Sequence, residues 1–247
     1  MNYSDYVYIA ACVFTQHYPE LSLRIQAYLT ERFGMPIVRC CALAYKVRQY
    51  EEAVPEEWRE QWKKIPHSRR FYPGDKVVSI CHNCTAVIEE PQPEVSLMSL
   101  WELILEDKQF KYPNYHGERM TLQDCWRTRG HHEEHEAVRE LLRRMNIDYI
   151  ELDGCRDQTT FCGNSLYRPA PPRNLKMAPH RFVENAQGLF EPHTLEEQKK
   201  IMEQYCQRFT TEKVVTYCHY CSEGIKLGGK TEEHLASLLF GGGYHWM

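Results

Sequence analysis

The sequence lacks the features that would assign it to a membrane, to nucleic acid or to secretion. No apolar run approaches the roughly 20 residues of a transmembrane helix. Lys and Arg total 30 against 34 Asp and Glu, a formal net charge of -4, so no basic field recruits nucleic acid or anionic lipid. Residues 1–5 contain neither a cationic segment nor a small-residue cleavage site. We therefore expect a cytoplasmic protein with no transmembrane segment and no nucleic-acid partner.

A nucleotide-cofactor motif is also missing, because no G-x-G-x-x-G follows a strand-like run. Cysteine, in contrast, is abundant: the 247 residues contain eleven. Disulfides are not expected in a reducing cytoplasm, and a chain of this length does not need them to hold a core. The remaining alternative to a ligand role is a scatter of small buried thiols. The spacing of the cysteines argues against a scatter.

Two stretches of the chain nearly match: residues 76–84 read Lys-Val-Val-Ser-Ile-Cys-His-Asn-Cys, and residues 213–221 read Lys-Val-Val-Thr-Tyr-Cys-His-Tyr-Cys. Each is typical of a buried strand that opens onto a Cys-His-x-Cys turn. The upstream patterns also match, since each half has one amphipathic helix followed by a strand. The helices are predicted at 19–33 and 132–145, the strands at 36–39 and 147–152, and apolar segments of helical spacing close the halves at 96–105 and 234–240.

This repetition predicts an internally duplicated α/β fold, with two pseudo-symmetric lobes of parallel strands flanked by helices. We place the first lobe at residues 1–110 and the second at 111–247. A proline- and arginine-rich insertion at 166–179 is found only in the second lobe. In parallel sheets, functional groups collect at the carboxyl ends of the strands, where these cysteines lie.

The cysteines therefore form two candidate metal sites. The first lobe offers Cys12, Cys40, Cys41, Cys81 and Cys84, and the second offers Cys125, Cys162, Cys218 and Cys221. Converging thiolates select zinc or an iron–sulfur cluster. Redox dithiols and buried structural thiols are the alternatives.

The spacing resembles the cysteine-rich CCG domain, which occurs twice in the cysteine-rich subunit of heterodisulfide reductase and in related iron–sulfur subunits of lactate and glycolate oxidation. The resemblance covers nearly the whole chain. It implies that the five cysteines of the first lobe hold a noncubane 4Fe-4S cluster that transfers electrons or cleaves a disulfide. The chain departs from the motif at Ala42, where the family has Gly, and at Phe161, where one of the paired cysteines is missing.

The missing cysteine leaves the second lobe with four ligands, which suit zinc, a second 4Fe-4S cluster or an empty site. Cys155 is the nearest replacement ligand, whereas Cys206 fits the apolar face of a helix. His82 and His219 occupy equal places in the two turns, where they either hydrogen-bond to cluster sulfur or face solvent.

Two further groups of residues have both a ligand-related and an ordinary interpretation. Arg127 and Arg129 either balance the charge of a centre or lie on the surface. Residues 130–135, Gly-His-His-Glu-Glu-His, form either a metal tract or a solvated helix start.

The sequence thus predicts an iron–sulfur redox subunit of an oxidoreductase, carrying out electron transfer or disulfide/thiol reduction together with other redox subunits of a complex. Residues 166–179 and the aromatic tail 240–247 are candidate partner surfaces. The alternative function is a non-enzymatic zinc-binding structural or interaction module.

Overall fold

The computed structural model describes residues 3–39, 42, 47–67, 70–169 and 175–242. It confirms the predicted α/β class: the described residues form two four-stranded sheets, all parallel and flanked by helices. Contacts divide the chain into two compact units between Ile104 and Leu105. Each half therefore has a sheet of its own, with its own buried core.

The first half has a sheet in the order β2-β1-β3-β4. Its elements are β1 (Tyr6–Ala10), α1 (Cys12–His17), α2 (Pro19–Phe33), β2 (Ile37–Arg39), α3 (Val47–Ala53), α4 (Glu56–Lys64), β3 (Lys76–Ser79), α5 (His82–Glu89), β4 (Ser96–Ser99) and α6 (Leu100–Glu106). Helix α2 has the predicted bounds. It begins with a proline whose missing N–H costs no helical bond, and ends at Gly34, whose left-handed φ of 63° closes the last turn.

The second half repeats the arrangement with the order β6-β5-β7-β8. Its strands are β5 (Glu118–Gln123), β6 (Ile147–Glu151), β7 (Lys213–Thr216) and β8 (Thr231–His234), and its helices are α7 (His132–Arg144), α8 (Leu195–Cys206), α9 (His219–Leu227) and α10 (Leu235–Phe240). The central strands β5 and β7 are buried because helices cover the sheet, so their apolar runs are nearly continuous.

The fourth strand of each sheet differs from the sequence prediction. Residues 96–105 have helical spacing, but Ser96–Ser99 form β4 and pair in parallel with β3, and only the remainder is helix. In the second half β8 pairs in parallel with β7 directly before α10. These edge strands are short and only partly buried, so they carry no clear apolar signal of their own.

The predicted insertion at 166–179 begins in a 3-10 turn, Gly163–Leu166, and is followed by a short π-helix, His180–Glu184. Residues 170–174 of the insertion and residues 243–247 of the predicted aromatic tail lie outside the described residues. No helix in the described part of the chain is both long and apolar enough to cross a membrane.

Candidate metal centre

The second sheet brings three cysteine-bearing segments to one edge. Strands β6, β5 and β7 are neighbours and all parallel, so their carboxyl ends meet at the same edge. Cys125 follows β5, Cys162 lies in the loop after β6, and Cys218 follows β7. Sequence separations of 37 and 56 residues are thereby reduced to side-chain contact.

The four cysteines predicted for the second lobe lie together in the structure. The Sγ atoms of Cys125, Cys162, Cys218 and Cys221 all lie within 4.8 Å of one another, and all four side chains are buried. The Sγ–Sγ distance is 3.4 Å between Cys125 and Cys162 and 3.9 Å between Cys162 and Cys218. This group could bind a metal, since buried convergent thiols at such spacing are a typical metal site.

Local structure places three of the four thiols on two turns. Cys125 precedes the 3-10 turn Trp126–Thr128, and Cys218 precedes α9, in which Cys221 is the third residue. The N–H of Trp126 donates to the carbonyl of Phe161 at 3.0 Å, which ties the first turn to the segment that carries Cys162.

A close backbone approach explains the glycine after Cys162. Gly163 has a φ of 58°, and a Cβ added there would lie 2.0 Å from the carbonyl oxygen of Tyr220. On the facing side, a Cβ added at Gly224 would lie 2.3 Å from the Cα of Gly163. Only glycine permits both the backbone conformation and the contact with α9.

Arg127 is the buried cation of the centre. Its Nη1 donates to the Sγ of Cys162, and its guanidinium lies 5.0 Å from the ring centroids of both Trp126 and Tyr220. Burial alone would lower the pKa of Arg127, but Cys162, with the neighbouring thiols, raises it above its usual value. Of the two arginines singled out in the sequence, Arg127 therefore contacts the centre. Arg129 instead donates to the carbonyl of Thr159.

Two aromatic pairs include the residues next to Cys125 and Cys162. The rings of Trp126 and Phe182 meet edge to face, and Phe161 stacks on Tyr205 with ring centroids 4.1 Å apart. Burial raises the pKa of Cys125 well above the usual thiol value, and the thiols of Cys162 and Cys218 raise it further. A bound cation would reverse this penalty, because metal binding removes the thiol protons.

A polar network beneath the centre was not predicted from the sequence. Asp124, directly before Cys125, accepts hydrogen bonds from the hydroxyl of Tyr217 and from Arg139, both at 2.7 Å. The Asp124–Arg139 pair has fully buried side chains. The only sequence feature that indicated this network was a carboxylate, Asp124, next to the candidate ligand Cys125. Its partners lie just after β7 and on α7, too far along the chain for a local pattern to indicate them.

The first half has the corresponding turns. Three of its five candidate cysteines lie among the described residues. Cys12 is the first residue of α1, Cys81 precedes α5, and Cys84 is the third residue of α5; all are buried. Cys40 and Cys41, predicted to complete this site, lie outside the described residues. Tyr8 on β1 is fully buried, and burial, reinforced by Cys84 and Cys81, raises the pKa of its hydroxyl.

Strand register shows that Cys12 and Cys125 are not equivalent positions. Val7 pairs with Val77 on β3, and Thr121 pairs with Val214 on β7. Ala11 lies four residues after Val7, and Cys125 lies four residues after Thr121. Both directly precede a helical turn. Cys12 is thus one residue farther along, inside the helix. The first cysteine therefore occupies a different position relative to the central strands in the two halves.

The other sulfur and imidazole candidates occupy different environments. Cys155 points its Sγ at Glu151, 3.7 Å from Oε2, and lines an open cavity of about 180 Å³ beside Arg208. Cys206 is a buried helix residue whose Sγ lies 3.9 Å from the carbonyl of Ile225. His82 and His219 are both buried first residues of their helices.

Comparison with known proteins adds no assignment. The chain matches no protein-family model and no curated protein.

Proposed function

We propose that this chain is an iron–sulfur redox subunit, similar to the cysteine-rich subunit of heterodisulfide reductase, that transfers electrons or reduces a disulfide at a cysteine-bound centre. The observation that carries the proposal is the buried group of four thiols at the carboxyl edge of a sheet, with a buried guanidinium on one of them. A thiolate centre is anionic, and the protein's main means of tuning it are charge, hydrogen bonds and burial. Arg127 supplies all three.

The guanidinium gives the centre a property that a simple structural zinc site does not require. A fixed positive charge against the sulfur of Cys162 offsets the negative charge of a metal ion bound by four thiolates. The rings of Trp126 and Tyr220 both pack against the guanidinium.

We assign the two halves different tasks. The four thiols of the second half are fully sequestered and leave no open ligand position, so this half holds its metal without exchanging substrate. The first half carries the Cys12, Cys81 and Cys84 framework and the adjacent Cys40-Cys41 pair. Five thiolates exceed what one tetrahedral ion uses, so the first half is the proposed site of the multinuclear cluster and of the redox reaction.

Electrons must then pass between the cluster of the first half and other proteins. The sequence has no dinucleotide-binding motif, so the proposed donors and acceptors are other redox subunits of a complex, with a disulfide or thiol as the substrate. A surface near the carboxyl edge of the first sheet is the proposed place of contact, because electron transfer requires a short distance between centres.

Anaerobic purification of the full chain tests the proposal. We expect a brown protein with broad visible absorption, iron and acid-labile sulfide in near-equal amounts, and an EPR signal that responds to dithionite. A colourless protein that contains zinc, no sulfide and no EPR signal in either oxidation state would overturn it.

The second candidate function is a zinc-binding structural or interaction module, and one observation favours it. One zinc ion with Zn–S bonds of about 2.3 Å places tetrahedral sulfurs about 3.8 Å apart, close to the measured 3.4 and 3.9 Å. In a 4Fe-4S cubane each cysteine binds a different iron, which holds the sulfurs farther apart. This spacing favours a single ion in the second half, and the iron-to-zinc ratio of the purified chain distinguishes the two functions.

A further inference from the structure

We infer that the second half carries another metal site, separate from the cysteines, formed by His132, His135 and Asp157 and suited to one divalent transition ion such as Zn²⁺. One ligand atom from each of the three residues lies within 4.8 Å of the other two. The inference does not rest on the proposed function, since none of the three residues belongs to the four-thiol group.

The local fold places the three ligands around one point. His132 is the first residue of α7 and His135 lies three residues later, so both project from the same side of the first turn. Asp157 is in the 3-10 turn Arg156–Gln158, which follows β6. Its Oδ1 accepts a hydrogen bond from the N–H of Gly130 at 2.9 Å, which fixes the carboxylate opposite the helix start.

The distances suit a compact tetrahedral site. Nδ1 of His132 lies 3.5 Å from Oδ2 of Asp157, and Nδ1 of His135 lies 3.9 Å from Oδ1. Zinc bonds of about 2.0–2.1 Å to nitrogen and oxygen give ligand separations of about 3.4 Å. The two distances run to different oxygens of Asp157, and the three ligand atoms lie within 4.8 Å of one another, so metal binding draws them together by roughly 1 Å.

The hydrogen bonds of His135 leave its Nδ1 as a lone-pair donor. The side chain is fully buried. Thr128 Oγ1 donates to the carbonyl of Cys125 at 2.7 Å and so accepts from His135 Nε2 at 2.8 Å. Nε2 thus carries the proton. Nδ1 is buried without a hydrogen-bond partner in the described structure and faces Asp157. A histidine whose other nitrogen is held by a hydrogen bond is the usual arrangement at metal sites.

A surface ion pair between His132 and Asp157 does not account for this geometry. Such a pair is worth little in water, and it would leave the buried Nδ1 of His135 without a hydrogen-bond partner, which is unfavourable. A metal ion satisfies all three groups at once. The side chains of His132 and Asp157 are 71% and 41% exposed, so a fourth ligand position is open to water.

The ion would also brace the cysteine centre. It would join the start of α7 to the loop between β6 and Cys162. Through Thr128 it would hold the carbonyl of Cys125. The chemical role that this arrangement supports is a stabilising ion next to the thiolate centre, with one exchangeable water.

Cobalt titration of the full-length chain, purified with its cysteine centre loaded, tests the inference. The variants are His132→Ala and Asp157→Asn, both at exposed positions; Asn at 157 retains an acceptor for Gly130. His180→Ala is the matched control. It removes another exposed histidine paired with a carboxylate, Glu184 at 2.8 Å. Among the described residues, this pair does not belong to a group of three possible ligands.

We expect the wild-type chain and His180→Ala to bind one further Co²⁺, with visible d–d bands and no sulfur-to-cobalt charge transfer. Each of the other two variants should weaken this binding about 100-fold or more, with the metal content of the cysteine centre unchanged. The inference is overturned if wild-type chain takes up no further Co²⁺. It is equally overturned if either variant binds Co²⁺ as tightly as the control.

Discussion

The two halves share a frame and differ in what surrounds their cysteines. Both sheets have the same strand order, and both Cys-His-x-Cys turns begin a helix directly after a central strand. In the second half, however, Arg127 donates to the Sγ of Cys162 and packs on the rings of Trp126 and Tyr220. In the first half, the buried hydroxyl of Tyr8 is one group that Cys81 and Cys84 influence.

The different surroundings of the cysteines show that a duplicated unit can change the residues after a strand while it keeps the strands themselves. The strands and the turn set where the sulfurs lie, whereas the residues directly after β1 and β5 set their electrostatic environment. The one-residue shift between Cys12 and Cys125 lies in that same segment. We therefore expect substitutions in the turns to act on one half without affecting the other.

The largest effect is expected from removing a ligand of the second half. Cys221→Ser should lose the metal of that half and lower its free energy of unfolding by about 10 kcal/mol, because metal binding energy is folding energy in such sites. Thermal unfolding with metal analysis measures this. Cys206→Ala, an equally buried cysteine outside the group, should retain the metal and cost about 1 kcal/mol. Equal metal loss in both variants would contradict the assignment.

Adding a side chain at Gly163 should have the next largest effect. Gly163→Ala forces a left-handed residue and a Cβ against the carbonyl of Tyr220, at a cost of about 4 kcal/mol. Gly130→Ala is the control, since Gly130 also has a positive φ but no atom within 4 Å of the added Cβ. Denaturant unfolding should show the larger loss, with release of metal, only at position 163. Similar losses at both positions would exclude the close approach as the cause.

Removing the buried cation should change the charge of the second centre. Arg127→Leu should lower the free energy of unfolding of the loaded chain by about 3 kcal/mol, because it leaves the anionic sulfur without its partner. Arg127→Lys, which keeps the charge, should recover part of this loss. Chemical unfolding of both variants with bound metal provides the comparison. An Arg127→Leu protein as stable as the wild type would show that the guanidinium does not balance the thiolates.

The smallest effects concern two buried tyrosines. Tyr217→Phe should cost about 1–3 kcal/mol, because its hydroxyl donates to the buried Asp124. Tyr8→Phe should be nearly neutral in stability, since the described structure gives its hydroxyl no hydrogen-bond partner, but it should shift the spectrum of the first centre. Denaturation curves and absorption spectra of the two variants measure this. A larger stability loss for Tyr8→Phe would reverse the comparison.

The sequence predicts the frame well, because parallel strands with β-branched runs place whatever follows them at one edge. The convergence of Cys125, Cys162, Cys218 and Cys221 follows from that rule. The contact of Arg127 with the thiols does not follow from it, since the local sequence pattern is the same for a buried and for a surface arginine.

The contact of Asp157 with the start of α7 joins residues 22 or more positions apart through a loop. No periodic pattern encodes such a contact. The fourth strands were missed for a related reason: short, partly exposed edge strands contain too few apolar residues to form a pattern of their own.

The central claim is that the two halves hold different centres and that the first carries the redox reaction. An EPR-monitored redox titration of Cys84→Ser and Cys221→Ser tests it directly, since both cysteines are the third residue of the helix after the turn. We predict that Cys84→Ser abolishes the reducible signal in a chain that retains the metal of the second half, whereas Cys221→Ser retains the signal. Loss of the signal in Cys221→Ser, with an unchanged signal in Cys84→Ser, would contradict the account.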